Sequence, residues 1–193
     1  IPIQLPIGEE KHFTGVVDLV GMKAYTFAAD GSGKMTEGAV PADMSDRVTA
    51  AREALVEMVA EADDSLMEKF FEAGTLTQEE LVKGLRTGVT SRKIFPLVCT
   101  SATLNIAVQP LLDAVLAYLP AASDRVVKAA DKAGAETSFQ VSESGSTAVF
   151  VWKTIADPFA GRISLFRVMR GSIRSDSTIA NVSKESSERL GHL

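Results

Sequence analysis

The sequence predicts an α/β portion followed by part of an antiparallel β-barrel. Three observations carry that reading. From Asp43 apolar residues recur every three or four positions; at VCTSATLN, Val98 to Asn105, an apolar run passes through small residues into a helical pattern; and from Ser146 onward apolar and polar positions alternate. The chain has 193 residues, 46% of them hydrophobic, which is normal for a folded globular protein and argues against disorder of the whole.

Residues 1–120 form the α/β portion. Ile1 to Leu5 alternates well enough for a short strand that Pro6 and Gly8 stop. FTGVVDLVGMKAYTF, Phe13 to Phe27, reads as two strands broken near Gly21, and DGSGKMTEG as a polar, glycine-rich turn. In DRVTAAREALVEMVAEA the residues Val48, Ala51, Leu55, Met58 and Val59 share a helical face, with Glu53 and Glu57 turned to solvent. A second helix starts at the Asp63–Asp64 cap and stops at Gly74. The third has Thr77 followed three residues later by Glu80, the spacing of a capping box.

Lys93 to Val98 is short, apolar and bounded by turn chemistry, so it reads as a buried strand. VQPLLDAVLAYLP then reads as a helix with Pro110 in its first turn and Pro120 at its stop. A strand feeding a helix through a tight loop is the building block of a parallel α/β sheet. Residues 121–145, rich in Ala, Ser, Lys and Glu, read as a linker with at most one weak strand or turn. Residues 146–193 read as strands separated by turns at Asp157–Gly161, Gly171–Ser172 and Ser175–Ser177.

Charge is unevenly divided. Ile1 to Leu119 holds 10 Lys and Arg against 17 Asp and Glu, a net of −7, whereas Pro120 to Leu193 holds 10 against 8, a net of +2. Arg162, Arg167, Arg170 and Arg174 would favour a polyanion if they share a face; a solvated strand surface is the competing reading. The lone Cys99 excludes an internal disulfide, and no apolar run is long enough to span a membrane, so a cytoplasmic setting is expected. IPIQLPIG at one end and ERLGHL at the other read as cut ends, and the chain is expected to be a fragment.

Several features mimic sites. GSGK, Gly31 to Lys34, lacks the phosphate loop's first glycine, since Ala28 stands there, and Met35 replaces the hydroxyl residue after the lysine; a hairpin turn is the better reading. His12 and His192 have no ligand spacing, Cys99 is better read as core than as a nucleophile, and Asp63 and Asp64 as helix-start residues. The junction loop keeps two readings: a ligand site in which backbone N–H groups near Ser101 and Ala102 meet a carbonyl of a base, or an ordinary turn capped by Thr100 or Ser101.

Four ordered stretches carry a resemblance: IQLPIGEEKHFTGVVDLVGMKAY; LVEMVAEADDSLMEKFFEAGTLTQEELVKGLRTG; CTSATLNIAVQPLLDAVLAYLP; and AVFVWKTIADPFAGRISLFRVMRGSIRSDSTIAN. Together they resemble the translational GTPases of the elongation factor G family. In order, they are similar to the region after that family's Asn-Lys-x-Asp motif, the helical insert of its GTPase domain, its Ser-Ala guanine loop with the following helix, and the opening strands of its β-barrel second domain. The resemblance implies a partial P-loop GTPase domain, with an α+β insert over about 1–92 and a guanine-loop strand and helix over 93–120, then the start of the barrel.

It further implies a ribosome-dependent GTP hydrolase of protein biosynthesis that promotes movement of tRNA and mRNA, with GTP and magnesium as the whole protein's cofactors. Ser101 and Ala102 become the guanine loop. Arg162, Arg167 and Arg170 become contacts to small-subunit ribosomal RNA, and the acidic helices a contact to the ribosomal stalk protein. The family's phosphate loop, switches and Asn-Lys-x-Asp motif do not occur in these residues, so no catalytic or metal-ligating residue is expected here and the chain alone is expected to be inactive. Thr100 stands where the family has glycine, Thr103 where it has an aromatic or leucine, and LNIA where it has a Lys-Asn-Lys-Gly type of run, which implies a divergent paralogue. A standalone ribosome- or partner-binding module, or a related recycling, release or ribosome-protection factor, remain the alternatives.

Overall fold

The structure, a computed structural model, describes residues 1–130 and 134–193. It combines α-helices with antiparallel sheets and divides into two compact units, Ile1–Leu119 and Pro120–Leu193.

In the first unit, β1 (Gln4–Ile7), β2 (Gly15–Asp18), β3 (Lys23–Phe27) and β4 (Met35–Gly38) form an antiparallel sheet in sequence order. Two expectations change here. Pro6 lies inside β1, opposite Val16, because an edge strand tolerates a residue without N–H; Gly8, at φ 78°, turns the chain away. The glycine-rich turn is also shorter than expected: Ala28 N–H donates to Lys34 O at 3.0 Å, and Met35 to Gly38 pair with β3 as a fourth strand.

Three helices follow: α1 (Ser45–Glu61), α2 (Asp64–Ala73) and α3 (Gln78–Thr90). Their ends obey local chemistry. Asp63 caps α2, its carboxylate accepting from Ser65 N–H at 2.9 Å, and Gly74 ends it at φ 69°. Thr77 and Glu80 form the complete capping box of α3, and Lys69 of α2 pairs with the Glu80 carboxylate. Leu55 and Val59 of α1, Leu81 and Leu85 of α3 and Val17 and Leu19 of the sheet region are all inaccessible and form one core. After α3 comes α4 (Val108–Tyr118), tied to it by Arg86, whose guanidinium donates to Ala117 O at 2.9 Å.

The capping box makes stability pH-dependent. Glu80 is held down to about 2, first by the hydrogen bond from Lys69 and then by the Thr77 hydroxyl and N–H. Its folded value lies below the ordinary 4.5, so the stabilisation is full above that value and is lost as pH falls through about 2. Thr77→Ala is expected to cost about 1 kcal/mol. Glu80→Gln should be less stable than the parent at about pH 7 and lose most of that deficit near pH 3, read by urea denaturation; an equal deficit at both pH values would contradict the assignment.

Lys93 to Val98 is not a buried strand. It makes one parallel bridge, Leu97 to Pro2, with Ile3 N–H donating to Leu97 O at 3.0 Å; Ile94 is buried, but Phe95 is 73% and Leu97 60% exposed.

The second unit contains three antiparallel pairs: β5 (Val126–Ala130) with β6 (Glu136–Gln140), β7 (Ala148–Asp157) with β8 (Gly161–Arg170), and β9 (Thr178–Asn181) with β10 (Ser186–Arg189). The stretch expected as a linker therefore carries two paired strands. Its residues 131–133 lie outside the described ones. Among the described residues none from Pro120 onward is buried. No helix among them is long and apolar enough to cross a membrane.

Candidate functional site

The junction is a pinched loop. Ser101 N–H donates to Ile106 O and Ile106 N–H to Ser101 O, both at 3.0 Å, while the Thr100 hydroxyl donates to the same Ile106 O at 2.9 Å. Asn105 and Ala107 take left-handed conformations at φ 51° and 57°. Asparagine tolerates that region; alanine there is strained. Burial holds Ala107 in place, since Ile106 and Ala107 pack with Val16 and Phe27 in a second apolar cluster that Cys99 borders. Neither Thr100 nor Ser101 caps α4: the residue before the helix is Ala107, and Pro110 occupies the first turn.

The pinch decides which donors remain. Ser101 N–H, one of the two expected base-reading groups, is consumed within the loop. The N–H groups of Ala102, Thr103 and Leu104 make no hydrogen bond among the described residues, and Ala102 and Thr103 are exposed. The tip thus offers consecutive backbone donors, and Asn105 N–H, which donates to Ala102 O at 3.3 Å, holds the peptide between Ala102 and Thr103. Such a group receives a carbonyl oxygen with little ordering cost.

Two side chains brace the loop from outside. Asn105 Nδ2 donates to Gly31 O at 3.2 Å and Gln109 Nε2 to Gly33 O at 2.9 Å. The GSGK segment is therefore a hairpin turn leaning on the junction. Gly33 stands at φ 71°, a left-handed backbone that favours glycine, and a Cβ there would lie 2.5 Å from Asn105 Nδ2, so that amide would have to shift. Asn105 and Gln109 were not singled out by the sequence, in which the only hint is an asparagine before an apolar residue at a tight turn.

The other candidates separate clearly. Cys99 is half-buried, its thiol pushed up by burial with weak opposition from Arg47, so it stays protonated. Among the described residues no cluster of His, Cys, Asp and Glu could hold a metal ion. Arg162 and Arg167 do not share a face. Arg162 and Arg167 are exposed on β8 five residues apart, an odd separation that puts them on opposite sides of the strand. Arg170 is partly covered, its guanidinium 6.0 Å from the Phe139 ring centre and its backbone paired with Ala148 and bridged to Ser142.

No family model matches the chain. A crystal structure of a protein from Thermus thermophilus is similar to it over 98% of its residues, at 28% identity and a TM-score of 0.72. The chain spans 26% of that protein's length.

Proposed function

We propose that the chain is part of a translational GTPase of the elongation factor G kind, with Ala102 N–H as the donor that reads the guanine oxygen and Ser101 as the residue that fixes its orientation. The observation that carries this reading is the tip of the junction loop: free donors at Ala102 to Leu104 above a closed Ser101–Ile106 pair. The finer fold that goes with it is the end of a P-loop GTPase domain with its insert, followed by the first strands of a β-barrel.

These residues fit the base of a guanine nucleotide and not the rest of it. The chain holds no glycine-rich phosphate cradle, and the described residues hold no metal-binding cluster, so the phosphates and magnesium would be held by other parts of a longer protein. No step of hydrolysis is assigned to this chain. Its role in a cytoplasmic, ribosome-dependent factor that moves tRNA and mRNA would be to hold the base and to present two surfaces. The acidic helices α1 to α3 suit the ribosomal stalk protein. Arg162 and Arg167 lie on opposite sides of β8, so each suits a ribosomal RNA phosphate on its own side rather than as one shared patch, with Arg170 supporting the strand pair that carries them.

Nucleotide binding tests the proposal. The chain alone is expected to bind fluorescent GDP no more tightly than about millimolar, because one backbone contact to a base supplies little free energy. In the longer protein, Ala102→Pro removes the donor and should weaken GDP roughly tenfold while leaving inorganic phosphate binding unchanged. Micromolar binding to the chain alone, or full affinity in the Ala102→Pro protein, would refute the assignment.

A further inference from the structure

We propose that Asn105 and Gln109 are positioning residues that couple the base-reading donors of the junction loop to the β3–β4 turn, so that displacing the turn changes the loop's affinity for a guanine base. The inference rests on the guanine-loop reading and adds to it a means of regulation from the sheet.

Two neighbouring peptides at the tip are held from one place. Ala102 N–H belongs to the peptide whose carbonyl, Ser101 O, accepts from Ile106 N–H at 3.0 Å. Thr103 N–H belongs to the next peptide, whose carbonyl, Ala102 O, accepts from Asn105 N–H at 3.3 Å. Asn105 and Ile106 therefore orient both donors.

Asn105 is in turn fastened from outside the loop. Its Nδ2 donates to Gly31 O at 3.2 Å, and Gln109 Nε2, at the start of α4, donates to Gly33 O at 2.9 Å. These partners lie 74 and 76 positions away in the sequence, so the contacts tie two distant parts of the unit together. The approach is close as well as polar: a Cβ on the buried Gly33 would stand 2.5 Å from Asn105 Nδ2 and 2.9 Å from its Cγ. At φ 51°, asparagine supplies both tolerance of the left-handed backbone and the amide donor.

The turn is built to move as a piece. Ala28 N–H donates to Lys34 O at 3.0 Å, Ser32 N–H to Asp30 Oδ1 at 2.9 Å and Lys34 N–H to the Ser32 hydroxyl at 3.2 Å. With those bonds closed, a displacement is passed on to Gly31 O and Gly33 O rather than absorbed inside the turn. Asp30, Gly31, Ser32 and Lys34 are exposed, so the turn is open to contact. The other side of the loop is fixed, because Ile106 and Ala107 pack on Val16 and Phe27. Coupling of this kind is reciprocal: a base held at the tip also steadies the turn.

In the 193-residue chain, Asn105→Gly removes the amide while suiting the left-handed backbone. It should accelerate hydrogen exchange of the amides at positions 105 and 106 roughly tenfold and leave α3 unchanged. In the longer protein, Asn105→Gly and Gln109→Met should each weaken fluorescent GDP about three- to fivefold, with inorganic phosphate binding unchanged. Gly33→Ala should weaken GDP about fivefold in the parent and less than about twofold in the Asn105→Gly background, where the amide it strikes is gone. Leu55→Ala, which destabilises the core away from the turn, should hold GDP affinity within about twofold. Unchanged exchange at positions 105 and 106, full GDP affinity in Asn105→Gly, additive effects of Gly33→Ala and Asn105→Gly, or equal weakening by Leu55→Ala overturns the inference while the guanine-loop reading stands. Full GDP affinity in Ala102→Pro overturns that reading and the inference with it.

Discussion

Replacing Leu55 with alanine is expected to lower the unfolding free energy of the first unit by about 3 kcal/mol. Leu55 is inaccessible on α1, in the same cluster as Val17 and Leu19 on the sheet side and Leu81 and Leu85 on α3. Truncation removes the transfer free energy of the lost carbons and leaves a void that three different elements would have to close. None can move alone, because α1 packs on both α2 and α3. Urea denaturation followed at the far-ultraviolet helical signal isolates the effect, since among the described residues the α-helices all belong to this unit. Leu116→Ala is the control: it is 78% exposed on α4 and should shift the midpoint little. Equal midpoints for the two variants would remove Leu55 from the core.

That core explains where sequence reading succeeded on α1 and where it drifted. Val48, Leu55 and Val59 were legible from their spacing. Val56 and Ala60 are also buried, and Met58 is 38% exposed, so the covered arc is rotated from the expected one. The cause is Arg52. At about 100° per residue it falls near the middle of the buried arc, a position that apolar periodicity assigns to solvent. Its guanidinium donates to Leu19 O at 2.6 Å and Val20 O at 2.8 Å, satisfying the carbonyls of the turn after β2. Periodicity cannot see a polar residue whose partners are thirty positions away.

Local chemistry was the most legible layer. Asp63, Thr77 with Glu80, and Gly74 each act within four residues, so their roles follow from sequence spacing alone. Strand pairing was less legible. Met35 to Gly38 becomes a strand because β3 offers it an edge, and VVKAA at Val126 pairs with Glu136 to Gln140 although its composition is that of a linker. At the junction the loop was visible as a run of small residues, but its internal closure was not. Only the pairing of Ser101 with Ile106 shows that Ser101 spends its N–H inside the loop and that Ala102 keeps its own.

The second large effect joins the sheet to that loop. Gly15→Ala is expected to cost about 3 kcal/mol and to lower the melting temperature by roughly 10 °C. A Cβ at Gly15 would stand 2.1 Å from Tyr25 O and 3.0 Å from the Thr26 Cα, both backbone atoms of β3, so no side-chain rotation relieves the clash and β2 must separate from β3. Val16, the next residue, is inaccessible and packs with Phe27, Ile106 and Ala107. The strand pair is thus the floor under the junction loop, and displacing it loosens the anchor that holds Ala107 in its strained conformation. Amide exchange should therefore accelerate more at Ser101 and Ile106 than in α3. Unchanged exchange at those two amides, with α3 destabilised, would show that the loop keeps its shape without the sheet beneath it.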